Sequence, residues 1–97
     1  MNGLHFEWDE KKAISNQIKH GVSFEEAKSV FSDSLGRLIV DPDSSDNEER
    51  FILMGMSSKI RLLVVCYCER SANSIRIISA RKAEKSEKKQ YEEKGYA

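Results

Sequence analysis

The chain has no long hydrophobic run, so no segment of it is suited to cross a membrane as a helix. Its opening "MNGLHFEWDEKK" has no apolar stretch of the kind that leads a secreted protein out, and a reducing cytoplasm is the expected setting. Glycines number five and are scattered, which removes the phosphate-cradling loops of most nucleotide-cofactor enzymes. The only histidines, His5 and His20, lie far apart in sequence, and no His/Cys/Asp/Glu set has metal-ligand spacing. Two cysteines, Cys66 and Cys68, stand in "VVCYC". Their alternate-residue spacing in a strand suits neither a mutual disulfide nor a zinc site, and they read as small hydrophobes of a core strand. Formal net charge is zero, which excludes a globally basic nucleic-acid binder. No cofactor and no metal are expected.

What remains is a chain of 97 residues, 39% hydrophobic and 33% charged, sized for one domain over residues 1–97. So thin a core favours a single sheet with helices against it, an α+β arrangement. Asp9 can cap a helix over about 9–20 that Gly21 ends, with Ile14 and Ile18 on one face. Ser23 and Glu26 fit a reciprocal capping box opening a second helix over about 23–32, with Phe24, Ala27 and Phe31 as its apolar stripe. Four apolar runs follow, over about 37–41, 50–57, 61–69 and 74–80. The short links between them predict a four-stranded, mainly antiparallel meander with the third strand central. A polar helix over about 82–94 closes the chain, with charge pairs at helical spacing and little but Ala83 and Tyr91 to bury.

The charges are unevenly placed. "DPDSSDNEER" is acidic, whereas basic residues dominate from Arg76 onward. Arginine suits phosphate because its planar fork donates two parallel hydrogen bonds and stays charged. Arg61, Arg76 and Arg81 are therefore candidates to hold an RNA backbone or to stabilise charge on phosphorus without a metal. Each can also simply end a strand and reach water or a carboxylate. RNA cleavage further needs groups that move protons to and from ribose and leaving oxygens, and Glu48, Glu49, His20 and Tyr91 are the candidates, with Lys19 or Lys82 beside them. Strict alternation along "SIRIISA" and the next residue puts Arg76 and Arg81 on opposite faces of the fourth strand.

Three stretches then carry a resemblance: the W-D-x-x-K start, "KHGVSFEEA" between the helices, and "IRIISARKA". Together with "DPDSSDNEERFILMGMS" and "RLLVV" they resemble the BrnT family of toxins from bacterial type II toxin–antitoxin pairs, from about Phe6 to Glu93. The resemblance implies a RelE-like fold, a metal-independent ribonuclease that halts translation, and a BrnA-type antitoxin with a ribbon-helix-helix domain. Operator DNA would be met only through that antitoxin, and a homo-oligomer within the complex stays open. Carried onto this chain, the catalytic candidates are Arg81, Arg61, Glu49 and His20; the RNA-binding candidates are Arg76, Lys82, Lys19, Arg70 and Tyr91. The chain departs from the family pattern at Ser44-Ser45, Ile60 and Lys88, where relatives often have His-Ser, Gly and Arg. The lost loop histidine motivates a second expectation, a weakly active or inactive module acting in antitoxin binding and operon autorepression.

Overall fold

The computed structural model describes residues 4–40 and 50–95. In chain order these form β1 (His5–Glu7), α1 (Glu10–His20), α2 (Phe24–Ser29), a 3-10 turn (Val30–Ser32), β2 (Arg37–Val40), β3 (Arg50–Met56), β4 (Leu62–Ser71), β5 (Ser74–Lys82) and α3 (Lys85–Gly95). The fold is α+β, but its sheet has five strands in the order β1-β5-β4-β3-β2 and is mixed. The expected four-stranded meander is corrected by β1, which pairs parallel to β5 with Phe6 opposite Ile75. The other neighbours are antiparallel, and β4 is central as expected.

Local chemistry explains the helices. The Asp9 carboxylate accepts from the Lys11 N–H and caps α1, and Gly21 closes it at φ 69°, a left-handed conformation that glycine enters without a Cβ penalty. Ser23 caps α2 through the Glu26 N–H. The reciprocal half of the capping box is not made, because the Glu26 carboxylate turns to Arg61 and Ser57. The long expected second helix tightens into a 3-10 turn after Ser29. β5 runs to Lys82, so the last helix starts three residues later than the charge pattern suggests.

One face of the sheet holds the main core. Leu63, Val65, Tyr67, Ile75, Ile77 and Ala80 meet Val22, Phe24, Ala27 and Val30 from the α1–α2 layer. Edge-to-face rings join them: Phe31 against Phe6 at 5.1 Å and against Tyr67 at 4.9 Å, and Trp8 against Phe24 at 5.9 Å. Gly55 lets the 3-10 turn approach β3, since a Cβ there would lie 2.9 Å from Val30 Cγ1. Ile14 and Ile18, which share one face of α1, are exposed, and the helix buries Asn16 instead.

The opposite face has a smaller cluster, Met54, Leu62, Val64, Ala83 and Tyr91, beneath α3. Three ties fix α3. The Tyr91 hydroxyl donates to Asp33 Oδ2 at 2.5 Å, Arg81 grips Glu87, and the Ala83 N–H donates to the Leu62 carbonyl at 2.9 Å.

Candidate anion-binding cleft

A β-bulge decides which arginines share a face. In the β4–β5 ladder Tyr67 faces Ile77 but Cys66 faces Ser79, so Ile78 is an extra residue on β5. An inserted residue reverses the alternation beyond it. Arg76 stands opposite Cys68 and Arg81 opposite Val64, and directly opposed residues share a face. Both arginines therefore lie on the α3 side of the sheet, against the expectation from strict alternation. Arg50 joins them through its pairing with Cys68.

α1 reaches this face around the sheet edge. β1 pairs with β5 only as far as Arg76, which leaves the later edge of β5 without a strand neighbour among the described residues. Asn16 fills the gap: its Oδ1 accepts from the Ala80 N–H at 3.1 Å and its Nδ2 donates to the Ala80 carbonyl at 2.8 Å. Nδ2 also donates to the Val22 carbonyl at 2.9 Å, locking the turn after α1. A side-chain amide thus stands in for a strand's peptide group, which satisfies buried backbone that no strand covers. His20, four residues along α1, is thereby brought to a cleft of about 330 Å³ that Arg50, Cys66, Ser79 and Arg81 also line.

Arg81 is half-buried and held end-on. Its Nη1 donates to Glu87 Oε1 at 2.9 Å and its Nη2 to Glu87 Oε2 at 2.8 Å, while Nη1 also donates to the Lys82 carbonyl at 3.2 Å. The guanidinium, aided by the Glu84 N–H, holds the Glu87 carboxyl below the usual carboxylate range against the opposing effect of burial. Arg76 is looser: it meets Glu7 Oε2 at 3.3 Å, and Arg70 meets the same oxygen at 3.8 Å on exposed surface.

Arg61 is placed differently. Its Nε donates to Glu26 Oε2 at 2.9 Å, its Nη2 to Glu26 Oε1 and to the Gly21 carbonyl, and Ser57 adds a hydroxyl donor to the same carboxylate at 2.6 Å. Glu26 is only 4% exposed. The Arg61 guanidinium keeps its carboxyl ionised at lower pH than usual despite burial. This pair ties the turn after α1, the start of α2 and the start of β4 into one unit. Lys82 and Tyr91 line a second cleft, with Arg61, Ile60 and Lys88, beside α3. Tyr91 is buried, and Lys19 is exposed on α1 outside both linings. Glu48 and Glu49 lie outside the described residues.

The structure therefore brings together His20 and Arg81, with Arg50 and Ser79, and separates them from Arg61 and Tyr91. Reasoning from sequence missed Asn16 and Glu87, and gave Glu26 a capping role in place of its pairing with Arg61. For Asn16 the available signal was the spacing of Ala13, Asn16 and His20 along one helical face. Among the described residues, no group of three or more His, Cys, Asp or Glu is placed to hold a metal ion. No helix among them is long and apolar enough to cross a membrane.

The chain is a small α+β domain with a mixed sheet that brings a histidine and arginines around one cleft, side chains whose chemistry suits an anion. Residues 8–87 match the family described as "Ribonuclease toxin, BrnT, of type II toxin-antitoxin system", and the chain belongs to that family. An antitoxin partner goes with membership of such a pair. Among solved structures, the Brucella abortus ribonuclease toxin BrnT superposes with a TM-score of 0.63 at 24% identity, covering 84% of this chain and 99% of that one, a likeness of fold. Comparison with curated protein sequences gives no match.

Proposed function

We propose that the chain, acting as one toxin domain, cleaves RNA without a metal and so inhibits translation until a BrnA-type ribbon-helix-helix antitoxin neutralises it. The observation that carries this reading is the convergence of His20 with Arg81 and Arg50 in one cleft on the α3 side of the sheet. Arg76 extends the basic face along β5. In this reading His20 takes the proton of a ribose 2′-hydroxyl as that oxygen attacks the adjacent phosphorus. The 5′-oxygen departs and receives the proton back from the imidazolium, leaving a 2′,3′-cyclic phosphate. Arg81 faces the extra negative charge on the phosphoryl oxygens as the bond to phosphorus forms. Tyr91 and Arg61 serve the fold, and Lys19 and Lys82 contribute long-range attraction to the RNA backbone.

The test is cleavage of a defined RNA by the purified chain in the presence of a chelator. Arg81→Ala should lower kcat/KM at least about tenfold, the loss of a charge-assisted contact worth roughly 1.5–3 kcal/mol. His20→Ala should lower kcat by about 10²–10⁴-fold, the usual contribution of a general acid–base group. Full cleavage by Arg81→Ala would place the site elsewhere. No cleavage by the native chain, together with tight antitoxin binding, would favour the inactive binding module.

A further inference from the structure

Among the described residues, Glu87 is the one carboxylate that hydrogen-bonds Arg81 in the cleft, and it does so on one edge only. A guanidinium offers two edges with parallel N–H pairs: the end, formed by Nη1 and Nη2, and the side, formed by Nε and Nη2. Glu87 takes the end, with one oxygen on each terminal nitrogen. The remaining Nη1 hydrogen goes to the Lys82 carbonyl. That leaves the side edge, Nε–H with the second Nη2–H, with no hydrogen-bond acceptor among the described residues. Arg81 lines the His20–Ser79 cleft and Glu87 does not, so the carboxylate grips the guanidinium from outside the cleft. Glu87 is itself fixed, because Oε1 also accepts from the N–H of Glu84, the residue just before α3, at 2.8 Å.

We infer that Glu87 is a positioning residue: it holds Arg81 end-on so that the side edge is presented to the cleft as a ready two-donor subsite for one phosphate group of an RNA. This rests on the ribonuclease reading for the identity of the phosphate, but the subsite itself rests on the geometry of Arg81. A long side chain ordered before binding loses less freedom when the ligand arrives. The second carboxylate–arginine pair of the fold shows the contrast. Glu26 takes the side edge of Arg61, and Gly21 takes a further Nη2 hydrogen, which leaves no comparable edge for a ligand.

The experiment measures two things on the full chain: cleavage of RNA, and binding of a non-cleavable 2′-deoxy oligonucleotide followed through the Arg81 Nε–H resonance. Glu87→Ala should weaken oligonucleotide binding about tenfold and shrink the Arg81 Nε–H shift, while Glu87→Asp restores part of it. The double variant Arg81→Ala/Glu87→Ala should be no worse than Arg81→Ala alone. If no variant cleaves RNA, the ribonuclease reading fails and the binding arm still decides the inference. Binding unchanged in Glu87→Ala, with only a lower melting temperature, would make Glu87 a helix cap and overturn the proposal. Tighter binding would also overturn it, because Glu87 would then be a competitor for the phosphate.

Discussion

Leu62 and Leu63 are neighbours in β4 that point to opposite faces of the sheet. Leu63 is fully buried among Val22, Phe24, Ala27 and Val30, with interlocked rings beyond. Leu62 is 8% exposed in the smaller cluster under α3, a helix that buries little besides Tyr91. One face is closed by apolar contact. The other is held by a few polar ties and leaves the rest of its surface to arginines. The difference teaches how a short chain divides its work: the α1–α2 face supplies the stability that lets the α3 face keep a polar cleft.

The sharpest way to break this comparison is to remove the same atoms from each side. Leu63→Ala should cost about 4 kcal/mol, since its close-packed surroundings cannot collapse into the cavity. Leu62→Ala should cost nearer about 2 kcal/mol, because α3 can settle and water can reach the gap. Denaturant midpoints at constant slope would measure both. Equal losses would show that α3 packs as tightly as the α1–α2 layer.

Glu26→Ala comes next, at about 3 kcal/mol, because it leaves the half-buried Arg61 guanidinium and the Ser57 hydroxyl without their shared acceptor. The same carboxylate supplies a pH dependence. Burial alone would push Asp33 up, but the Met56 N–H, the Tyr91 hydroxyl and the Leu35 N–H outweigh it and hold that carboxyl below its ordinary value. Glu26 and Glu87 are held down chiefly by their arginines. For all three the unfolded chain takes up protons first as pH falls. Their stabilisation is therefore complete above about pH 5, and it drains away as pH drops from roughly 4, where free carboxylates titrate, through the lower folded values. Melting temperatures between pH 7 and 3 should trace that fall, and Glu26→Ala should flatten part of it. An unchanged curve in the variant would mean that the acid sensitivity lies in Asp33 and Glu87, on the α3 side.

Much of the frame could be read from the sequence because its causes are local. Asp9, Gly21 and Ser23 mark helix ends through bonds spanning two to four residues. The apolar runs of β3, β4 and β5 are long enough to show themselves. β1 is not: three residues have no periodicity, and their pairing partner is some seventy positions away. The bulge at Ile78 left no trace either, since both faces of β5 are partly apolar and a one-residue slip costs the pattern nothing visible. That slip, however, is what brings Arg81 onto the same face as Arg76. For the site, His20 and Arg81 stand out as residue types, but their partners do not. Glu26, Glu87 and Glu7 read alike in a chain with so many carboxylates, and only tertiary placement assigns each to its arginine.

The smallest effect belongs to the turn where the ties of the two faces meet. Ser57 faces Glu26 on one side of it, and Ile60 rims the cleft beside α3 on the other. Ile60 has φ 60°, a left-handed conformation that a β-branched residue enters at a cost of roughly 1–2 kcal/mol. At 80% exposure its side chain recovers little of that through packing. Ile60→Gly removes the clash but loosens the unfolded chain, which returns up to about 1 kcal/mol. The net expectation is a gain of about 0.5 kcal/mol, read as a higher denaturant midpoint with an unchanged slope. Ile60→Val keeps the branch at Cβ and should gain nothing. If both variants behave alike, the turn relaxes around its side chain and the strain is not held at Ile60. If only the glycine variant gains, the native chain keeps an exposed apolar side chain beside α3 at a cost to its own stability, on the face that the fold already holds more loosely.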